Sequence, residues 1–127
     1  MNKEQICILI VDDEEDIQEL VQFQLENEGY KVLTASSGNE GFQLFQNNDI
    51  QLIVSDVRMP NGDGVEFLDK VSKIKMDPPY FYFMTGFADI SKDESLAKGA
   101  RGFFSKPFNL DEFTKEINNC VEANLLK

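Results

Sequence analysis

Histidine is absent from this 127-residue sequence, and cysteine is scarce. A chain without histidine cannot form a histidine-based zinc site, a Ser-His or Cys-His nucleophile pair, or a phosphohistidine of its own. The two cysteines, Cys7 and Cys120, each fall within an apolar pattern. We therefore expect two buried free thiols and no disulfide framework.

Long apolar runs and a basic face are also lacking. No stretch approaches the roughly 18 apolar residues of a membrane span, and the first residues have no signal-peptide character. The net charge of −11 argues against a general nucleic-acid surface, which needs a basic stripe. We expect a cytoplasmic protein with no membrane segment and no direct nucleic-acid binding. The length predicts about one domain, residues 1–127.

Strand and helix patterns alternate along the whole chain. Continuous apolar runs predict strands at 6–11, 30–35, 50–54, 80–84 and 102–105. Apolar residues at helical spacing predict helices at 14–28, 37–46, 64–75, 89–98 and 109–125, with Ser37 and Asn109 as N-caps. This alternation predicts an α/β fold, a doubly wound parallel sheet with helices on both faces.

Polar side chains stand where the predicted strands end. They are Asp12 and Asp13 after the first strand, Asp56 after the third, Thr85 at the fourth and Lys106 after the fifth. Each of them alone has an ordinary explanation, as a helix cap, a turn residue or a solvated charge. Ligand sites in such folds lie at the carboxyl ends of the strands, so we expect these side chains to converge in one crevice.

The charges of this group indicate a chemistry. Three carboxylates within a few ångströms repel one another, so either a cation joins them or one takes up a proton. Oxygen ligands without histidine favour Mg²⁺. Asp56 would then be the nucleophile on a phosphoryl group, while Lys106 would neutralise charge on the transferring oxygens and Thr85 would donate a hydrogen bond to them.

Four segments carry a resemblance to a known family. They are "VDDEED" (11–16), "SDVRMPNGDG" (55–64), "MTGFAD" (84–89) and "GARGFFSKPF" (99–108). In order, spacing and position on the predicted elements, they resemble the receiver domain of two-component response regulators, of the single-domain type that is similar to chemotaxis regulators. The resemblance covers essentially the whole chain, and it implies a flavodoxin-like (βα)5 sandwich with strand order 2-1-3-4-5.

The resemblance implies an acceptor and a metal site. Asp56 would be the phosphoacceptor, and the donor would be a sensor histidine kinase or a histidine phosphotransfer protein. Asp12, Asp13 and Asp56 would hold Mg²⁺ together with the backbone carbonyl of Arg58. The chain would assist its own phosphorylation and dephosphorylation without being a turnover enzyme.

The resemblance also implies a switch. Thr85 is similar to the hydroxyl residue that moves toward the phosphoryl group, and Lys106 is similar to the lysine that pairs with that group. Phe103 occupies the aromatic switch position, although a simple core aromatic is the alternative interpretation. The bond between Lys106 and Pro107 is expected to be cis.

The resulting hypothesis is a phosphorylation-activated switch. Phosphorylation would remodel the surface of the fourth helix, fifth strand and fifth helix, where an unknown downstream protein would bind. The chain would be a monomer or a phosphorylation-dependent dimer. No output domain follows Lys127 in this sequence, so the chain is either a stand-alone receiver or part of a larger regulator or hybrid kinase.

Three rival interpretations compete with this hypothesis. A haloacid-dehalogenase-type phosphohydrolase needs a second acid two residues after its nucleophile, where this chain has Arg58. A flavodoxin-like cofactor binder needs a Ser/Thr/Gly-rich phosphate loop after the first strand, which is missing here. A degenerate receiver that binds its partner constitutively is disfavoured because every residue of the acidic site is present.

Overall fold

The computed structural model describes residues 1–86, 91–106 and 109–126, without the side chain of Lys92. Its strands are β1 (Cys7–Val11), β2 (Lys31–Ala35), β3 (Leu52–Asp56), β4 (Tyr80–Thr85) and β5 (Gly102–Ser105). Its α-helices are α1 (Glu15–Asn27), α2 (Gly38–Asn47), α3 (Gly64–Ser72), α4 (Lys92–Ala97) and α5 (Leu110–Asn124). The strands form one parallel sheet in the order β2-β1-β3-β4-β5. The predicted doubly wound fold and its strand order are confirmed.

The sheet separates two hydrophobic layers because successive side chains of a strand point to opposite faces. In β4, Tyr80 and Tyr82 lie in the layer beneath α1 and α5, whereas Phe81 and Phe83 lie in the layer beneath α2 and α3. All four side chains are buried. This two-sided burial explains why the strand reads as an uninterrupted apolar run.

Polar caps set where four helices begin. The side chain of Ser37 accepts a hydrogen bond of 3.1 Å from the amide of Glu40, and Asn109 accepts two from the first turn of α5. Both predicted N-caps are confirmed. Asp63 caps α3 and Ser91 caps α4 in the same way, and neither of these caps was predicted. These caps satisfy amide groups that the first turn of a helix leaves unpaired.

The structure corrects several predicted boundaries. β3 begins at Leu52 and continues through Asp56, so the expected acceptor is itself the last residue of the strand. α3 ends at Ser72, before the predicted end. A short 3-10 helix at Lys3–Gln5 precedes β1 and was not predicted.

Helix α4 has few apolar contacts with the core. Its residue Ser95 is fully buried, whereas its leucine, Leu96, is 44% exposed. The hydroxyl of Ser95 donates a hydrogen bond of 3.0 Å to the carbonyl of Ser91. The predicted start of this helix, Asp89, lies outside the described residues. Sparse apolar burial is typical of an element with low local stability.

Both cysteines are buried free thiols, as predicted. Cys7 packs in the layer beneath α2 and α3, and Cys120 packs in the layer beneath α1 and α5. The sheet therefore lies between the two thiols. Across residues 1–86, 91–106 and 109–126, each helix is too short or too polar to cross a lipid bilayer.

Candidate functional site

The carboxyl ends of four strands meet at one edge of the sheet. In the strand register Val11 lies beside Ser55, and Asp56 lies beside Met84. Thr85 is paired with the last residue of β5. Side chains at or just beyond these positions therefore share one crevice, which is where an open α/β sheet places its ligands.

Lys106 joins two acids of this crevice. Its Nζ atom lies 2.7 Å from Oδ2 of Asp12 and 3.1 Å from Oδ2 of Asp56. It also lies 3.5 Å from Oε1 of Glu14, whose side chain is mostly exposed. The second oxygen of Asp12 accepts a hydrogen bond of 2.8 Å from the amide of Glu14, and that of Asp56 accepts one of 2.8 Å from the amide of Val57. Both buried carboxylates are thus bonded at both oxygens, which offsets the cost of their burial.

Burial governs the protonation of this cluster. It raises the pKa of the Asp12 and Asp56 carboxyls above their ordinary values, against the opposing influence of Lys106. Burial alone would lower the pKa of Lys106, but its hydrogen bond to Asp12 and the charges of Asp12 and Asp56 outweigh that effect and raise the pKa. The lysine therefore stays charged, and both acids share one ammonium.

A third carboxylate completes an oxygen-rich cluster. One carboxylate oxygen of each of Asp12, Asp13 and Asp56 lies within 4.8 Å of the other two. Asp13 is exposed, so the cluster opens to solvent on its side. Carboxylate oxygens are the ligands that Mg²⁺ prefers, and one ammonium leaves net negative charge on three acids. The donor set therefore fits a hard divalent cation, and Mg²⁺ as its occupant stays a prediction.

Thr85 lies at the same edge but does not contact the acids through its hydroxyl. Thr85 is a buried residue, and its hydroxyl donates a hydrogen bond of 2.7 Å to the carbonyl of Gly86. The carbonyl of Thr85 accepts a hydrogen bond of 2.6 Å from the amide of Lys106, so the two residues are linked through their backbones. Phe103 is half-buried, lies beside Phe83 in the strand register and packs against the layer beneath α2 and α3.

The structure brings Asp12, Asp13, Asp56 and Lys106 together, as the positions at the strand ends predicted. Arg58 is exposed, and the role of its backbone carbonyl as a metal ligand stays a prediction. The expected cis bond after Lys106 lies outside the described residues, since residue 107 is not among them.

Two residues that support the site were not predicted to do so. Nε2 of Gln18 donates a hydrogen bond of 2.5 Å to the backbone carbonyl of Asp12. This carbonyl belongs to the peptide bond that leads to Asp13. Gly64 begins α3 so close to β3 that an added Cβ would overlap the carbonyl oxygen of Asp56. The sequence does contain a glycine at the predicted start of this helix, but the close approach itself is a tertiary contact.

Comparison with known proteins identifies the family. The family model described as "Response regulator receiver domain" matches residues 8–118. Response regulator SaeR of Staphylococcus aureus is 38% identical over 114 residues, which cover 90% of this chain and 50% of that protein. The chain thus spans about half the length of the curated relatives it matches.

Solved receiver domains share the fold. The receiver domain of Francisella response regulator 1452 has a TM-score of 0.85 at 26% identity, covering 94% of this chain and 98% of that chain. A CheY-like response regulator receiver domain protein from Methanospirillum hungatei JF-1 has a TM-score of 0.87 at 30% identity, and the match covers 94% of this chain and 95% of that chain. With a family model that matches most of its length and an acidic cluster at its strand ends, the chain belongs to the response regulator receiver domain family.

Proposed function

We propose that this chain is a phosphorylation-activated switch of a two-component system. Asp56 would accept a phosphoryl group from a sensor histidine kinase or a histidine phosphotransfer protein in the cytoplasm. The observation that carries the proposal is the position of the Lys106 ammonium, which lies between Asp12 and Asp56 within a cluster of three carboxylates. Membership of the receiver family supports phosphorylation-based signalling as the general function.

The chemistry at Asp56 would be an in-line displacement. A carboxylate oxygen of Asp56 forms a bond to phosphorus while the bond between phosphorus and the donor imidazole nitrogen breaks, and that electron pair returns to the imidazole. The amide of Val57 holds Oδ1 of Asp56 at 2.8 Å and so fixes the orientation of the carboxylate. Lys106 would move from Oδ2 of Asp56 onto the oxygens of the arriving phosphoryl group.

A divalent cation would complete the site. Asp12, Asp13 and Asp56 would hold it, with the backbone carbonyl of Arg58 as a further ligand. When bound, Mg²⁺ would neutralise negative charge on the acids and on the phosphoryl oxygens. The exposure of Asp13 leaves that side of the cluster accessible from solvent.

The switch would begin at Thr85. Its hydroxyl, now bonded to the carbonyl of Gly86, would turn and donate to a phosphoryl oxygen. Phe103, half-buried in the neighbouring strand, would rotate into the space that the threonine leaves. The surface of α4, β5 and α5 would be remodelled for an unknown downstream protein or for phosphorylation-dependent dimerisation. The exposure of Leu96 leaves α4 few apolar contacts to break.

Intact mass spectrometry after incubation with acetyl phosphate tests the acceptor. We expect one phosphoryl adduct on the native chain that requires Mg²⁺ and that Asp56→Asn abolishes. Asp69→Asn is the matched control, because this exposed carboxylate on α3 pairs with Lys73 away from the cluster and its loss should leave the adduct intact. An adduct on Asp56→Asn at the native level would contradict the proposal. If the folded native chain forms no adduct, the result would favour the alternative, a module that binds its partner constitutively and is neither phosphorylated nor catalytically active.

A further inference from the structure

We infer that Gln18 is a positioning residue for the acidic cluster: its side-chain amide holds the loop that carries Asp12 and Asp13 and thereby sets the affinity for a divalent cation. The inference rests on the metal-binding role that the proposed function gives to this cluster. Gln18 lies on α1 and is half-buried, so its side chain reaches inward while its charge-neutral amide adds nothing to the charge of the site.

Three acceptors surround the amide nitrogen of Gln18. Nε2 lies 2.5 Å from the carbonyl oxygen of Asp12, 3.2 Å from that of Ala35 and 3.1 Å from the hydroxyl oxygen of Ser36. Both carbonyls can only accept, so the nitrogen and not the oxygen of the side chain faces them. A side-chain amide has two hydrogens, and these contacts therefore use its full donor capacity.

The contact with Asp12 fixes the backbone on one side of that residue. The carbonyl of Asp12 belongs to the peptide unit that joins Asp12 to Asp13, so the hydrogen bond from Gln18 orients that peptide unit. The amide of Asp12 donates a hydrogen bond of 3.0 Å to the carbonyl of Ala35, which fixes the peptide unit on the other side. The orientations of these two peptide units determine the directions in which the side chains of Asp12 and Asp13 point. Asp13 is exposed, so its direction depends strongly on the backbone that carries it.

The segment that Gln18 reaches also contacts the opposite side of the cluster. Beyond Ser36, the amide of Gly38 donates a hydrogen bond of 2.8 Å to the carbonyl of Gly62. Gly62 lies in the loop between β3 and α3, directly after the strand that ends in Asp56. The junction of β2 and α2 therefore contacts both the loop that carries Asp12 and Asp13 and the loop that follows Asp56, and the side chain of Gln18 ties the first of these loops to it.

Residues that orient metal ligands without touching the metal typically change metal affinity by about 10- to 100-fold when they are replaced. Gln18 holds backbone rather than a ligand side chain, and the neighbouring Ala35 bond to Asp12 persists without it. We therefore expect the low end of that range, about tenfold. Loss of a neutral amide leaves the charge of the site unchanged, so a change in affinity reports on geometry.

The test compares Gln18→Met with Gln22→Met. Methionine keeps the length of the side chain and favours helix, but it has no donor. Gln22 is the matched control, since it lies one turn later on α1, is also half-buried, and its amide contacts Glu26 of the same helix at 3.4 Å. Magnesium titrations of the unphosphorylated protein, followed by backbone amide resonances, give the dissociation constant. We expect about a tenfold increase for Gln18→Met and less than about a twofold change for Gln22→Met.

A second measurement distinguishes a positioning role of Gln18 from an effect on the stability of the whole protein. With acetyl phosphate, Gln18→Met should need more Mg²⁺ for half-maximal phosphorylation, while its rate at saturating Mg²⁺ should approach the native rate. A merely structural role would lower resistance to urea and leave the dissociation constant of the folded protein unchanged, and this result would overturn the inference. Gln18→Ala replaces the methionine variant if that variant does not fold.

The two proposals fail in different ways. An unchanged magnesium dissociation constant in Gln18→Met, an equal increase in Gln22→Met, or no magnesium binding by the native chain would overturn the positioning role. Absence of a phosphoryl adduct on native Asp56 would overturn the proposed function instead, while the ratio of dissociation constants would still decide the role of Gln18.

Discussion

The Nζ atom of Lys106 lies 2.7 Å from Oδ2 of Asp12, whose side chain is fully buried. Its distance to Oδ2 of Asp56 is 3.1 Å, so the lysine is held more closely by a candidate metal ligand than by the candidate acceptor. One ammonium therefore pairs with both acids without neutralising both, and each buried carboxylate depends on it for its stability.

Replacing Lys106 by methionine should lower the free energy of unfolding by about 3 kcal/mol at neutral pH, because the loss of one partner leaves buried charge uncompensated. Urea denaturation followed by circular dichroism measures the change. Saturating Mg²⁺ should restore part of the loss, since a ligand that binds only the folded state stabilises it.

The matched control for this prediction is Lys73→Met. Lys73, which directly follows α3, pairs at 3.0 Å with Asp69 of that helix, and both side chains are mostly exposed. We expect a change below about 0.5 kcal/mol for that pair. Equal losses in the two lysine variants would show that burial of the Lys106 pair has no special importance.

Thr85→Ala should uncouple phosphorylation from the change at β5, because the variant has no hydroxyl to donate to the phosphoryl group. Thr85→Ser keeps the hydroxyl and should preserve the response. The measurement is the shift of amide resonances in β5 and α4 on phosphorylation, compared at equal adduct fractions by intact mass. A full response in the alanine variant would rule out this relay.

Gly64→Ala should destabilise the protein by about 2 kcal/mol, because an added Cβ overlaps the carbonyl oxygen of Asp56 and must displace it. Displacement of this strand end should also weaken Mg²⁺ binding. Gly86→Ala is the control for stability, since no atom of the described residues lies within 4 Å of a Cβ added there. Thermal denaturation compares the two variants, and a native-like Gly64→Ala would contradict the close approach.

Tyr30 should make stability depend on pH in the alkaline range. Its side chain is buried, and its hydroxyl donates a hydrogen bond to Oδ1 of Asn118. Burial, helped by the charges of Glu28 and Glu122, raises the pKa of Tyr30 from 10.0 to about 12. Deprotonation therefore favours the unfolded chain, and the stability that Tyr30 provides is complete below about pH 10 and is lost as the pH rises toward about 12.

Tyr30→Phe isolates this contribution. Urea denaturation across the alkaline range should show a steeper loss of stability in the native chain than in the variant. Identical pH dependence in the two proteins would mean that Tyr30 ionises alike in the folded and unfolded states. The other tyrosines contribute equally to both proteins, so the difference reports on Tyr30 alone.

The boundaries of helices and strands show where local sequence patterns fail to predict the structure. The apolar run of the third strand ends at Val54, yet the strand continues because Ser55 pairs with Val11 and Asp56 pairs with Met84. Backbone pairing depends on the neighbouring strands and not on the polarity of the side chain. For the same reason the sequence placed Asp56 at the edge of the sheet but did not show that it belongs to the strand.

Local signals in the sequence were sufficient for the five strands, the two N-caps and the polar residues at the strand ends. Burial of both faces produces continuous apolar runs, and capping needs a side chain only a few residues from the amides it binds. The family resemblance, carried by motifs around Asp12, Asp56, Thr85 and Lys106, supplied the strand order and the expected roles.

Tertiary structure alone decided the distances within the site. Lys106 and Asp12 are 94 positions apart in the chain, and only the pairing of the strands brings them to 2.7 Å. The bonds from Gln18 to the carbonyls of Asp12 and Ala35 join residues only 6 and 17 positions apart, but, like the contact of Gly64 with Asp56, they depend on how a helix packs against the ends of the strands. Periodicity reports which face of an element is buried, but contacts between loops depend on strand register and helix placement, which no single segment specifies.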